Sequence, residues 1–482
     1  MSDNTTDTNK EYDIAIIGAG PGGYAAALYA ALRGAKVALI EKDKRLGGTC
    51  LLRGCIPSKA MVKTAELMLE MRHPEKYGLA LEGAVNIDWG RTVERKDKIV
   101  DGLVNGLNGL MKSRKIDVIT GMGTIINPRT VRVDGRDVRT RNIIIATGSG
   151  TMLATDVPGG NLPGVITSDD VLDADLTMKA LQGVPESIMI VGGGVVGMEF
   201  SSIFNAYGSK VTVVVSSPRV LRLVDEEIAR RFTQVAKGQG IEIVTRTDVV
   251  NIAQAKGGKG LNVTLKNVDT GAEEVRAVSN LLYAKGRFPY TQSLGLDNIG
   301  IQTKRGNIEV DERMQTPVEG VYAIGDVVPG PMLAHVASYE GEVAVDNITG
   351  HYREADYGAV PDVIFTIPEI ASVGMQEGQA KERGIPVKMT KFNFAALGRA
   401  QAIGETDGLV KMIADPGTGI ILGIQVMGAH ASDIIAECTL AVQQGITAEE
   451  LAHTIHAHPT MPEAVLETAF AQFLGAPVHA NR

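Results

Sequence analysis

Cys50 and Cys55 stand at either end of Leu51-Leu52-Arg53-Gly54, with Gly47-Gly48-Thr49 before them and Ile56-Pro57-Ser58-Lys59 after. They are two of the 3 cysteines in the chain, the other being Cys438. Thiols this close can form a disulfide that accepts and donates electrons. Two plainer roles compete with that one. A zinc site calls for about four ligands, often as two Cys or Cys/His pairs, and no second pair is present. A structural disulfide is out of place in a chain with a single further cysteine and no secretory features. On the cysteines alone the matter stays open; the elements around them favour electron transfer.

Those elements begin upstream. Residues 12–17 read as a buried strand, followed by Gly18-Ala19-Gly20-Pro21-Gly22-Gly23 and an alanine-rich helix from 24 to about 33. A second strand, 36–40, ends at Glu41. In this context Gly18 permits a tight turn, Gly20 lets backbone N–H groups approach a pyrophosphate at the helix N-terminus, and Gly23 lets helix and strand pack closely. Glu41 lies where a carboxylate takes both hydroxyls of an adenosine ribose. The pattern recurs as a strand at 187–191, Gly192-Gly193-Gly194-Val195-Val196-Gly197, a helix at 198–207 and a strand at 210–215. Here Val215 occupies the place of Glu41. Two units imply two dinucleotides. Because the cysteine pair follows the first, that unit is expected to hold a flavin and the second a nicotinamide cofactor. Asn142-Ile143-Ile144-Ile145-Ala146-Thr147-Gly148-Ser149 reads as a strand running into a turn between domains. Gly320-Val321-Tyr322-Ala323-Ile324-Gly325-Asp326 reads as a strand whose Asp326 could accept hydrogen bonds from flavin ribitol hydroxyls. Standing alone, Asp326 would be an ordinary turn residue.

The whole chain agrees with this reading. A length of 482 residues points to several domains. The 56 glycines suit several nucleotide-binding turns. A net charge of −8 argues against nucleic acid as the main partner. No apolar run reaches the roughly 18 residues of a membrane helix. Residues 1–11 are polar, without the apolar core of a signal peptide, and are expected to be a disordered lead. A cytoplasmic location follows, and it would keep Cys438 reduced.

From about 12 to 475 the sequence resembles the pyridine nucleotide-disulfide oxidoreductases, and among them the dihydrolipoamide dehydrogenases, the E3 components of 2-oxo acid dehydrogenase complexes. The Gly-Cys-Ile-Pro-Ser-Lys run ending at Lys59 carries the resemblance, as does His456-Ala457-His458-Pro459-Thr460-Met461-Pro462-Glu463. Phe365-Thr366-Ile367-Pro368-Glu369, Leu397-Gly398-Arg399-Ala400 and the stretch from Gly428 to Glu437 support it.

The resemblance implies an α/β fold. Two Rossmann-like dinucleotide-binding domains, for FAD and NAD(P), are joined by a central domain and an α+β C-terminal dimerisation domain. Expected bounds are 12–150 for the first part of the FAD domain, 151–280 for the NAD(P) domain, 281–350 for the central domain completing the FAD site, and 351–482 for dimerisation. Cys50 is similar to the interchange thiol that meets the substrate, and Cys55 to the thiol that faces the flavin as a charge-transfer thiolate. Lys59 is similar to the family's lysine near flavin N5, paired with Glu199. By the same resemblance Gly48, Thr49, Gly123, Thr147, Gly148, Ser149, Ala334, Gly286 and Arg287 join the glycine turns, Glu41, Asp326 and Val215 as cofactor-binding positions. No metal is expected.

Oxidation of a dithiol needs a base, since the thiolate is the nucleophile. Among the 8 histidines, His458 has the matching His-Pro-Thr context, and an imidazole titrates near working pH, at about 6.5. Glu463 could hold its tautomer. His456 is expected to be structural and His453 a surface residue. The implied activity is oxidation of protein-bound dihydrolipoamide with reduction of NAD+. The implied partners are a second copy of the chain, lipoyl domains, and the E2 core of a 2-oxo acid dehydrogenase complex, with no nucleic acid or membrane. The alternative is an NADP-preferring form or another disulfide reductase of the superfamily. Mercuric and glutathione reductases fit the motifs less well, and a soluble transhydrogenase would lack Cys50. Departures from the family pattern are Val215, Gly150-Thr151-Met152, Lys285, Val336, and Pro462, which could tilt Glu463. Ser216, Ser217, Arg219 and Arg222 follow Val215 and could cradle the 2′-phosphate of NADP.

Overall fold

The computed structural model describes residues 10–479. Most of the expected lead lies outside the described residues, but Glu11, assigned to it, opens the first strand. The first unit runs β1 (Glu11–Ile17), α1 (Pro21–Leu32), β2 (Val37–Glu41), α2 (Gly48–Arg53) and α3 (Cys55–Met71). Helix α1 starts at Pro21, three residues before the expected Tyr24. A proline is tolerated at the first helical position, where its missing N–H would have no partner. Strand β1 lies between β2 and the strand Arg136–Ile145, parallel to both. Alternation splits its side chains. Ile14 and Ile16 pack with Ala26, Ala27 and Ala30 of α1, while Ala15 and Ile17 pack with Ile125 and Leu294.

The strand Val321–Ala323 returns to this same sheet beside Arg136–Ile145. It is shorter than the segment expected from Gly320 to Asp326, because the chain breaks into a 3-10 turn at Gly325–Val327. The helix Ala334–Ile348 follows and packs against α1. A Cβ on its Gly341 would come within 3.1 Å of the Ala26 methyl.

The second unit is a five-stranded parallel sheet centred on Ser187–Val191, flanked by Lys210–Val214 and Asn280–Tyr283. The latter strand straddles the boundary drawn at 280/281. The unit's helix begins at Val195 rather than Met198, since Gly194 already has an extended, cap-like backbone. The connection out of the first unit, Ser149–Thr151, pairs with the returning strand Arg287–Pro289. Both crossings between the units therefore lie side by side.

The C-terminal body is a five-stranded antiparallel sheet carrying the helices Ala431–Gln443 and Glu463–Leu474. Lys411 on its strand Leu409–Ala414 is fully buried against the second unit. Its Nζ lies 2.9 Å from Asp225 Oδ2 and 2.6 Å from Glu377 Oε2. A buried ammonium is tolerated only with such partners. Asp225 also caps the helix Glu226–Gly238, so one ion-pair network fixes the second unit to this body.

Candidate active site

Cys50 sits on α2 and Cys55 opens α3. The two helices meet at Gly54, where a Cβ would approach the Thr49 carbonyl oxygen to 2.9 Å. Both cysteines are free thiols, the reduced form of the expected disulfide. A hydrogen bond from Cys50 holds Cys55 down to about 7, with the Lys59 charge helping and burial opposing. The same hydrogen bond, followed by burial, pushes Cys50 far up. The pair thus keeps one proton on Cys50 and places the thiolate on Cys55, at a helix N-terminus where the dipole also favours negative charge.

Lys59, one turn further along α3, has its Nζ 3.0 Å from each carboxylate oxygen of Glu199 and 4.3 Å from the centre of the Phe365 ring. Glu199 is buried and also accepts the Phe365 N–H at 2.9 Å. This pair joins α3 to the helix Val195–Ala206 of the second unit. Tyr24 of α1, to which no sequence signal pointed, stands close enough to the thiols to feel them. Burial first, then negative charge on the thiol pair, pushes its phenol up.

The first glycine turn has the shape a dinucleotide needs. Gly20 caps α1, and Gly48 faces it with φ +58°; a Cβ on Gly48 would lie 2.5 Å from Gly20 Cα. These two backbones approach so closely only because Gly48 carries no side chain. Glu41 is buried, its Oε2 accepting the Ala19 N–H at 2.7 Å and its Oε1 the Asp43 N–H at 2.8 Å. Each oxygen keeps a lone pair for a ribose hydroxyl. The residues present fit FAD. Asp326 sits in the Gly325–Val327 turn with Oδ2 accepting from Ser149 Oγ. Thr147 Oγ1 donates to the Tyr290 carbonyl, and the Gly148 carbonyl accepts the Tyr290 N–H. Gly123 is packed inside, its missing Cβ 3.1 Å from Ile17. Ala334 begins the helix after the Asp326 turn.

Arg287, one of the expected cofactor positions, lies on the crossing between units. Its guanidinium donates to Ser149 Oγ and Ser149 O at 2.8 Å, to Thr151 Oγ1 at 3.2 Å and to Thr49 Oγ1 at 3.4 Å. It braces the strand pair and reaches the residue before Cys50.

In the second glycine turn, Gly192 and Gly197 pack against Ala284 and Gly192 backbone, and a Cβ on Gly194 would meet open space. Gly286 adopts φ +145° on the return crossing. Val215 lies just past the strand Lys210–Val214 and is buried; a Cβ on Gly193 would press on its Cγ1 at 2.6 Å. Of the residues expected to cradle a phosphate, Arg219 is withdrawn. It donates to the carbonyls of Leu221 at 2.7 Å, Arg222 at 2.9 Å and Val224 at 3.2 Å. Ser217 Oγ donates to the Arg219 carbonyl at 2.7 Å. Ser216 and Arg222 stay exposed. Lys285 pairs with Asp248 at 3.5 Å.

His458 lies on the C-terminal body with its side chain 77% exposed, and its Nδ1 is 2.8 Å from Glu463 Oε1. Glu463 Oε2 accepts the Thr460 N–H at 2.7 Å. Burial would raise the Glu463 carboxyl, but the Thr460 N–H and the His458 ring outweigh it and hold the group below its ordinary value. With Pro462 before it, Glu463 still engages both carboxylate oxygens. The His456 side chain is buried with Nε2 2.7 Å from Glu437 Oε1, and His453 is exposed beside the Phe473 ring. Ile455, three residues before His458, is 97% exposed.

Comparison with known proteins agrees with this geometry. Residues 12–341 match the family described as pyridine nucleotide-disulphide oxidoreductase, and 360–469 match its dimerisation domain. A dihydrolipoyl dehydrogenase of Chlamydia trachomatis is 41% identical over 476 residues, covering 98% of each chain. One from Geobacillus stearothermophilus is 41% identical over 478 residues, covering 97% of each. A leghemoglobin reductase of Glycine max is 39% identical over 472 residues, 96% of this chain and 88% of that protein. Among solved structures, the HOCl-induced flavoprotein disulfide reductase RclA from Escherichia coli, as its Cu(II) complex, superposes with a TM-score of 0.83 at 30% identity. That match covers 94% of this chain and 98% of RclA.

Proposed function

The chain belongs to the pyridine nucleotide-disulphide oxidoreductases, and we propose that within them it oxidises protein-bound dihydrolipoamide to lipoamide through Cys50, Cys55 and the His458–Glu463 pair. It is an oxidoreductase acting on the sulfur groups of its donor, with FAD and NAD(P) as cofactors, and it works as a homodimer. The observation that carries the proposal is the arrangement of the groups: Cys50 on α2 and Cys55 at the start of α3, the Lys59–Glu199 pair one turn further on at 3.0 Å, and His458 Nδ1 2.8 Å from Glu463 Oε1 on the C-terminal body.

His458 Nε2 takes a proton from one substrate thiol, while Glu463 fixes Nδ1 and stabilises the cation that forms. The substrate thiolate attacks Sγ of Cys50 in the oxidised pair. The Cys50–Cys55 bond breaks, and Cys55 leaves as a thiolate, stabilised by its helix N-terminus and Lys59. The second substrate thiol loses its proton and displaces Cys50, closing the lipoamide disulfide; two electrons and two protons have left the substrate. FAD, when bound, supplies the acceptor through which those electrons reach the nicotinamide. The exposure of His458 supports its acting on the thiols of the other subunit. Lipoyl domains and the core of a 2-oxo acid dehydrogenase complex are the proposed partners.

The test separates the two halves of the reaction. His458→Gln should lower dihydrolipoamide oxidation by about 10²–10⁴, the usual worth of a general base, yet leave flavin reduction by NADH intact. Cys50→Ser should abolish the dithiol half. Near-normal dihydrolipoamide turnover in either variant would reject the mechanism.

A second reading has its own observation: Val215 stands where an acid would repel the 2′-phosphate of NADP, beside exposed Ser216 and Arg222. It makes NADP a usable cofactor alongside NAD.

A further inference from the structure

Glu340 is a buried carboxylate that the dithiol chemistry does not use. It lies on the helix Ala334–Ile348 and is 1% exposed. Its Oε2 accepts the Gly325 N–H at 2.6 Å, and its Oε1 accepts the Tyr357 hydroxyl at 2.8 Å. A buried carboxylate with two good donors is satisfied, and losing one leaves an acceptor stranded at appreciable cost. Gly325 opens the 3-10 turn that carries Asp326, and its φ of +73° is one that side chains avoid. A Cβ there would also stand 3.0 Å from the Ala337 methyl. The turn is therefore fixed from below by Glu340 and from above by Ser149 Oγ on Asp326 Oδ2.

Tyr357 lies in the segment between that helix and the C-terminal body. Its ring meets Tyr339 edge-on at 6.4 Å. The Tyr339 hydroxyl accepts the Asp356 N–H at 2.8 Å. Asp356 Oδ2 in turn accepts from Gln443 Nε2 at 3.1 Å, on the helix Ala431–Gln443 of the C-terminal body. A continuous set of hydrogen bonds and one ring contact thus runs from that body to the Asp326 turn.

We propose that Glu340 and Tyr357 are positioning residues that hold the Asp326 turn in its flavin-binding form, so that the linker to the C-terminal body helps set FAD affinity. The proposal rests on the flavoprotein reading, in which Asp326 faces the flavin.

The experiment is an equilibrium titration of the full-length homodimer, stripped of flavin, with FAD, followed by flavin fluorescence. Tyr357→Phe keeps the ring on Tyr339 and removes only the hydroxyl; it should raise the FAD Kd by about tenfold, the scale of one buried hydrogen bond to a charged group. Glu340→Gln keeps an oxygen for Gly325 N–H and should bind FAD more tightly than Glu340→Leu. In an Asp326→Ala background the Tyr357→Phe effect should vanish, because the proposed coupling runs through Asp326. An unchanged Kd in Tyr357→Phe overturns the proposal. So does an effect that persists without Asp326, which would mark a general structural loss. If the unmutated protein takes up no FAD, the proposed function fails instead.

Discussion

The division of labour between the two cysteines is written in their surroundings. Cys55 has a hydrogen-bond donor and a helix N-terminus, with Lys59 one turn on; Cys50 keeps the proton, and burial weighs on both. In the reduced, flavin-free protein one thiolate should therefore appear as pH rises through about 7, and only one. Below that pH both sulfurs carry protons; above it Cys55 is ionised, while Cys50 stays protonated well beyond the range of an ordinary thiol. Thiolate absorbance in the far ultraviolet reads this directly. Cys55→Ser should remove the step near neutrality. Two thiolates forming together would contradict the shared-proton arrangement. Lys59 adds its charge from one turn away, and Glu199 keeps that charge in place.

Elements with a local pattern were legible in the sequence. Both glycine turns, the strands before them and the cysteine-bearing segment are short runs whose meaning lies in neighbouring residues, and they stand where expected within a few positions. Contacts that join distant segments left no such trace. Ser149 and Asp326 are 177 positions apart, and Arg287 and Ser149 are 138 apart. No periodicity marks Glu340 or Tyr357. Nor did any local signal announce that the Arg287 guanidinium spans Ser149, Thr151 and Thr49. The Arg219 donors likewise close the 220–224 loop on itself, a contact no local pattern announces. Recognition at the second glycine turn then depends on the few residues just past the strand Lys210–Val214. Val215→Glu should raise the preference for NAD over NADP, measured as the ratio of kcat/KM values, by about tenfold or more. The buried Val215 side chain rests on Gly193 and Val220, so a glutamate would have to turn outward, toward the ribose. An unchanged ratio would mean that other groups already exclude the phosphate.

At the scale of the molecule, the first unit holds the thiols, the second is fixed to it through Lys59–Glu199, and the C-terminal body is fixed to the second through Lys411. No helix among the described residues is long and apolar enough to cross a membrane. The largest consequence comes from His458, 77% exposed on the dimerisation body beside the 97% exposed Ile455. If each His458 serves the thiols across the dimer, the unit of inheritance and the unit of activity differ. Two alleles that are each silent, Cys50→Ser and His458→Gln, should complement one another. A mixed dimer pairs the sound thiols of one product with the sound imidazole of the other. It regains one site of two and about half the turnover of the unmutated dimer. Differently tagged subunits, co-expressed and purified through both tags, would show it; a mixed dimer without activity would return His458 to its own chain. In a cell carrying one normal copy, the His458→Gln product would damage its partner's thiols and spare its own, so the lesion is expressed in the neighbour.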